Sequence, residues 1–287
     1  MSLALKPLTP EFGAEISGVD ITDNLTETTF NQIRDAFERY SVLAFPGQPM
    51  DDDQQIAFSE LFGPLERTVS TNPAGGSVFA RQSNIDIKSG EKIPLDDRRM
   101  AYQKGNMLWH ADSTYKETPS LCSILSAREV PPEGGATEFV STAVAYDNLE
   151  NAMKADLEGL IVEHDLTYSR SRTNFQLTAD QQSETPAARH PLVQINPVTG
   201  RKSLMIGAHA KEIADWPIEK GRELLDDLLT HAAETQAIYS HEWRTGDVIV
   251  WDNRAVLHRA TEFDASRHRR IMQRTTVSNP DAVEMPV

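Results

Sequence analysis

Trp109-His110-Ala111-Asp112, answered far downstream by Val248-Ile249-Val250-Trp251-Asp252-Asn253-Arg254 leading to His258, decides how this chain is read. A histidine and a carboxylate two residues apart on an extended segment project to the same side, because strand side chains alternate with a period of two. One distant histidine then completes a two-histidine, one-carboxylate face on a divalent ion. Such a face leaves coordination positions open, as in non-haem Fe(II) oxygenases. His110 and Asp112 supply two ligands and His258 the third. His164, His190, His209, His231, His241 and His268 compete for that third place. His258 is preferred because it follows a buried-strand run and precedes an arginine-rich strand.

That strand begins Arg269-Arg270-Ile271-Met272-Gln273-Arg274. Alternation puts Arg270 and Arg274 on one face, with Ile271 and Gln273 on the other. A planar guanidinium fork grips a carboxylate with two parallel bonds. Each charge-assisted hydrogen bond contributes about 1.5–3 kcal/mol, so two such groups select for anions.

The chain has 287 residues, 39% hydrophobic and 25% charged, which suits a soluble globular protein with a substantial core. No apolar run approaches the ~18–20 residues of a membrane span. Met1-Ser2-Leu3-Ala4-Leu5-Lys6-Pro7 lacks a basic region followed by an apolar one, so no secretion signal is expected. Cys122 is the only cysteine, which excludes an intrachain disulfide and fits a reducing cytoplasm. It lies in Leu121-Cys122-Ser123-Ile124-Leu125 and reads as a core residue rather than a nucleophile. The net charge of −15 argues against nucleic acid as a partner. It leaves room for a small anionic substrate, since a few arginines inside a cavity dominate the local field.

Patterning predicts helices over 28–40, 51–62, 142–157 and 218–234. Strands are expected at 13–21, 41–45, 121–127, 136–141, 190–196, 203–206, 237–243, 247–251 and 269–277. Between them, 66–105 reads as an irregular polar loop or lid that includes Asn72-Pro73-Ala74-Gly75-Gly76, and 166–188 as a polar surface insertion. Many short strands with helices at the edges predict a mainly β fold with flanking helices and a jelly-roll core. No composition break divides the chain, so one domain over 1–287 is expected.

The pattern resembles the taurine dioxygenase/2,4-dichlorophenoxyacetate dioxygenase family of Fe(II)- and 2-oxoglutarate-dependent enzymes. The resemblance runs from Leu8-Thr9-Pro10 and Gly13-Ala14-Glu15-Ile16-Ser17-Gly18-Val19-Asp20 through Asp53-Gln54-Gln55-Ile56-Ala57-Phe58 and Leu61-Phe62-Gly63-Pro64-Leu65. It continues through Trp109-His110-Ala111-Asp112-Ser113 and Pro131-Pro132-Glu133-Gly134-Gly135-Ala136-Thr137-Glu138-Phe139 to Arg270-Ile271-Met272. It implies a double-stranded β-helix with the metal at one mouth, 2-oxoglutarate as cosubstrate, O2 as oxidant, and a homo-oligomeric assembly. By motif it implies His110, Asp112 and His258 as iron ligands, and Thr137 and Arg270 on 2-oxoglutarate, with Arg269 as the fallback for Arg270. It implies Arg274 on the acidic group of the prime substrate, Asn106 near both organic molecules and Trp251 lining the site. Lys104 is a candidate second anion contact, though a solvated lysine is the simpler reading.

Within the family, Ile206-Gly207-Ala208-His209-Ala210 and Gly105-Asn106 through Ser113-Thr114-Tyr115 look most like the phenoxyacetate and phenoxypropionate branch. The alternative is oxidation of taurine, an alkyl sulfonate or an alkyl sulfate. A cupin-like binding protein without chemistry would not need His110, Asp112, His258 and Arg270 together. A zinc hydrolase would leave the arginines unexplained, and the chain has no His-Glu-x-x-His motif.

Overall fold

Val248-Ile249-Val250-Trp251 forms a strand buried on both faces, and that strand is the centre of a seven-stranded sheet. The computed structural model describes residues 3–70 and 75–279, so Asn72-Pro73-Ala74 of the expected lid lies outside the described residues. The sheet runs in the order Ala4–Pro7, Ala14–Ser17, Val42–Phe45, Val248–Asp252, Ser120–Glu129, Ile271–Ser278 and Phe79–Ser83. Its neighbours are antiparallel except for Ala14–Ser17 against Val42–Phe45.

Two helices cover one face of this sheet. Glu27–Tyr40 starts at Thr26, whose side chain accepts from the Thr29 N–H, and Asp52–Glu60 starts at a capping box of Asp51 and Gln54. Ile33, Phe37 and Phe58 on these helices meet Leu43, Phe45, Leu121, Ile124, Val248 and Val250. Burying each of these side chains stabilises the fold by about 1.5–3 kcal/mol.

The opposite face carries the alternate residues Val42, Ala44, Leu125, Ile249, Trp251 and Met272. They meet Phe139, Val256 and Trp243 from a second layer, in which Thr137–Ser141 lies between Tyr239–His241 and Val256–Ala260. Two sheets closed over one core in this way form the expected jelly roll. Leu225, Leu228 and Ala232 of the helix Ile218–Glu234 pack with Val140 and Leu257 behind the second layer.

The observed elements differ from expectation at several places. The helix expected over 142–157 is two helices, Thr142–Asp147 and Asn151–Leu157. The strand expected over 190–196 is split into Ala188–Pro191 and Val193–Ile195, which belong to different sheets. Leu192 between them donates its N–H to Leu160 and accepts from Met205. The 66–105 stretch contains an edge strand, Phe79–Ser83, paired with Ile271–Thr275, and a helix, Arg98–Gln103. The polar 166–188 stretch contains the helices Leu166–Ser171 and Ala179–Glu184.

Candidate active site

His110 and His258 face each other in an isolated antiparallel bridge. The His110 N–H donates to the His258 carbonyl at 3.1 Å, and the return bond is 2.8 Å. This pairing brings the ring centroids to 4.2 Å. Asp112 lies two residues along the same segment, with Oδ1 3.8 Å from His110 Nε2 and Oδ2 3.7 Å from His258 Nε2. One ligand atom from each residue falls within 4.8 Å of the others, and all three residues are 4% exposed. His110 Nδ1 lies 2.7 Å from the Leu108 carbonyl. A carbonyl only accepts, so Nδ1 carries the proton and Nε2 keeps its lone pair for a metal.

The electrostatics suit ligation. Burial holds the His110 imidazole down at about 4, against the opposing pull of Asp112 and Leu108, and Arg170 and Arg274 press it further. Burial likewise pushes His258 well below the ordinary histidine range. Both rings are therefore neutral at pH 7, the form that binds a metal. Burial disfavours the Asp112 charge, but the Arg274 guanidinium, helped by the Ser123 hydrogen bond, keeps the carboxyl well below the usual carboxylate range.

A small hydrogen-bond network fixes Asp112. Ser123 donates to Oδ2 at 2.7 Å, and the Asp112 N–H donates to Asn253 Oδ1 at 3.0 Å. The Trp251 indole N–H donates to the same Asn253 oxygen at 3.0 Å, while Asn253 Nδ2 donates to Ser123 at 3.1 Å. Trp251 is fully buried behind His258, with ring centroids 4.5 Å apart. It supports the site from behind rather than facing its opening.

Arg274, on the strand Ile271–Ser278, and Arg270, just before it, have different surroundings. Arg270 is 6% exposed, donates from Nη2 to the Gly135 carbonyl at 3.2 Å, and has no carboxylate partner among the described residues. Its Nε is buried without a hydrogen bond, and burial lowers its pKa to about 10. Arg269 is instead a half-exposed residue paired with Glu129 at 3.0 Å. Arg274 Nη1 donates to Asp112 Oδ1 at 2.6 Å. Thr137 is buried, and its hydroxyl accepts from the Trp243 indole at 2.9 Å. Since an indole N–H only donates, the Thr137 hydroxyl keeps its own hydrogen for another acceptor.

His110, Asp112 and Arg274 open onto a cleft whose walls include Asn106, Tyr102 and Arg170. Residues of both polar stretches, 66–105 and 166–188, contribute to those walls. Lys104 is exposed and lies outside the lining. Sequence reasoning missed Arg170, Ser123 and Asn253. Asn253 stands inside the quoted downstream stretch, 141 residues from Asp112, and its place in that stretch was the only signal available.

A two-layer jelly roll carrying a buried His-Asp-His face defines a non-haem metal oxygenase site. Residues 4–276 match the family described as taurine catabolism dioxygenase TauD, TfdA family. The chain is 38% identical, over 97% of its length and 99% of the relative's, to the alpha-ketoglutarate-dependent 2,4-dichlorophenoxyacetate dioxygenase of Cupriavidus pinatubonensis. It is 37% identical to the (S)-phenoxypropionate/alpha-ketoglutarate-dioxygenase of Sphingobium herbicidovorans, over 98% of this chain and 96% of that one. The solved structure of AAD-2 in complex with Mn(II) and N-oxalylglycine superposes with a TM-score of 0.92 at 35% identity, covering 100% of both chains. The chain belongs to the TauD/TfdA dioxygenase family and is a 2-oxoglutarate-dependent dioxygenase.

Proposed function

We propose that this enzyme hydroxylates an aryloxyalkanoate at the carbon next to the ether oxygen. One O2 and one 2-oxoglutarate are consumed, and succinate, CO2 and a hemiacetal are formed. The hemiacetal collapses to a phenol and a 2-oxo acid. Fe(II) held by His110, Asp112 and His258 would supply the oxygen activation that couples decarboxylation to hydroxylation.

The observation that carries the reading is Arg270, a buried cation with no carboxylate partner among the described residues, in a chain that also presents a three-ligand metal face. Holding such a charge out of water costs several kcal/mol unless an anion compensates it. A dicarboxylate whose far end pairs with Arg270 supplies that anion, and the free hydrogen of Thr137 supplies a further bond. Arg274 takes the carboxylate of the prime substrate. Arg274 also donates to Asp112, so the residue that takes the substrate anion touches a metal ligand. Asn106 and the walls from 66–105 and 166–188 orient the substrate above the metal face.

The test is aerobic turnover with Fe(II), ascorbate and 2-oxoglutarate against phenoxyalkanoates, alkyl sulfonates and alkyl sulfates. Succinate matched by phenol is expected. Succinate matched by sulfite or sulfate would overturn the aryloxyalkanoate assignment while leaving the metal and cosubstrate sites as described.

A further inference from the structure

Buried arginines in this molecule fall into two kinds. Arg254 is a structural one, paired with Asp252 at 2.9 Å and Glu38 at 2.8 Å. Arg274, partly exposed, also has a carboxylate, that of Asp112. Arg270 and Arg170 have none among the described residues, although each is 6% exposed. Arg270 is accounted for by the cosubstrate; Arg170 is not.

Arg170 lies on the short helix Leu166–Ser171, which Asp165 caps by accepting from the Thr167 and Tyr168 N–H groups. It reaches the wall of the cleft that also holds His110, Asp112 and Arg274. Its guanidinium carbon stands 4.3 Å from the centre of the Tyr102 ring, and its Nε is buried without a hydrogen bond. The space it fills exists because residue 105 is glycine. A Cβ there would lie 1.5 Å from Nη1 and 2.7 Å from the guanidinium carbon. Stacking on Tyr102 steadies the plane of the group without neutralising it. A cation so placed, with backbone cleared for it and no carboxylate partner among the described residues, is built for an anionic ligand.

We propose that Arg170 is a second anchor for the substrate carboxylate, shared with Arg274, and that Gly105 and Tyr102 set its position. The proposal rests on the reading of the substrate as an aryloxyalkanoate. Two anchors also explain how Arg274 can serve both Asp112 and substrate, since the incoming anion then has a partner not already engaged.

The experiment is calorimetric titration of the Mn(II)- and 2-oxoglutarate-loaded protein with phenoxyacetate and with its neutral analogue phenoxyacetamide. Arg170→Gln is expected to weaken phenoxyacetate binding about 10- to 100-fold, the range of one charge-assisted bond. It should change phenoxyacetamide and 2-oxoglutarate affinities less than about twofold, and Arg170→Lys should recover part of the loss. Gly105→Ala keeps the arginine but displaces its guanidinium, and is expected to shift phenoxyacetate binding in the same direction. Unchanged phenoxyacetate affinity in Arg170→Gln, or equal losses for acid, amide and 2-oxoglutarate, would overturn the proposal; the second pattern is that of a merely structural arginine. If the wild type binds no phenoxyalkanoate but binds an alkyl sulfate, the substrate reading falls by itself, and the same variants decide Arg170 on the sulfate. Binding of no anion at all would remove both.

Discussion

Arg270 makes a stability prediction opposite to that for most buried residues. No carboxylate among the described residues pairs with it, so Arg270→Met, without added ligands, should leave the unfolding free energy unchanged or raise it by about 1–4 kcal/mol, read by urea titration. The same variant should weaken 2-oxoglutarate binding at least ~10-fold. A destabilised variant with normal cosubstrate affinity would place Arg270 in the scaffold instead. His164 gives the pH dependence. It is fully buried, and burial, with His190 beside it, lowers its pKa to about 3 from 6.5. Between those values the unfolded chain binds a proton that the folded chain refuses, so stability falls as the pH drops through the window. Each such histidine contributes a slope of about 1.4 kcal/mol per pH unit. His164→Leu should flatten the metal-free protein's stability between pH 6 and 4 by about one proton's worth; an unaltered slope would refute the assignment. At this scale the His110 and Asp112 pair was legible from spacing and alternation, whereas His258 was chosen by its flanking runs and the role of Arg270 came from the family resemblance. Arg170 was not, because its meaning depends on Tyr102 and Gly105 arriving from a segment far away in sequence.

The elements that carry the ligands are held by close backbone contacts. Gly207, at φ +113, lies where an added Cβ would meet Leu257 Cδ2 and the Trp109 carbonyl at 3.1 Å and His110 Cα at 3.3 Å. Gly207→Ala should therefore push the His110 segment away from its bridge to His258. A loss of stability of about 1–3 kcal/mol is expected, together with Mn(II) affinity lowered about tenfold or more, both measured on the purified variant. Wild-type metal affinity in a destabilised variant would show that the ligand segment does not rest on Gly207. Regular elements with strong periodicity, such as Glu27–Tyr40 and Ile218–Glu234, were readable within a residue or so. The edge strand Phe79–Ser83 was hidden because Arg81 and Gln82 interrupt its apolar pattern, and only pairing with Ile271–Thr275 makes it a strand. The break between Thr142–Asp147 and Asn151–Leu157 was missed for a related reason: both pieces share a helical pattern that runs across Asn148.

For the whole molecule, ligand binding and folding are linked. Mn(II) at a hundred times its dissociation constant should add about 2.7 kcal/mol of stability, and 2-oxoglutarate a comparable increment once metal is present. Thermal melts should show the second increment in the wild type and lose it in Arg270→Met; an increment from 2-oxoglutarate without metal, of the same size, would contradict a chelated cosubstrate. The jelly roll was legible as a class from many short strands. The order of strands was not, because adjacency between segments such as Val42–Phe45 and Val248–Asp252 is set by packing of both faces and leaves no local trace. The direct bridge between His110 and His258 has a further consequence. In the second layer His258 pairs with Phe139 while Leu257 pairs with Val140, so the histidine faces the interior only in one register. A chain that zipped this strand one residue out of step would offer Leu257 to the ion and turn the imidazole outward. Metal uptake thus counts only correctly threaded molecules, and the site serves as the protein's own assay of its folding.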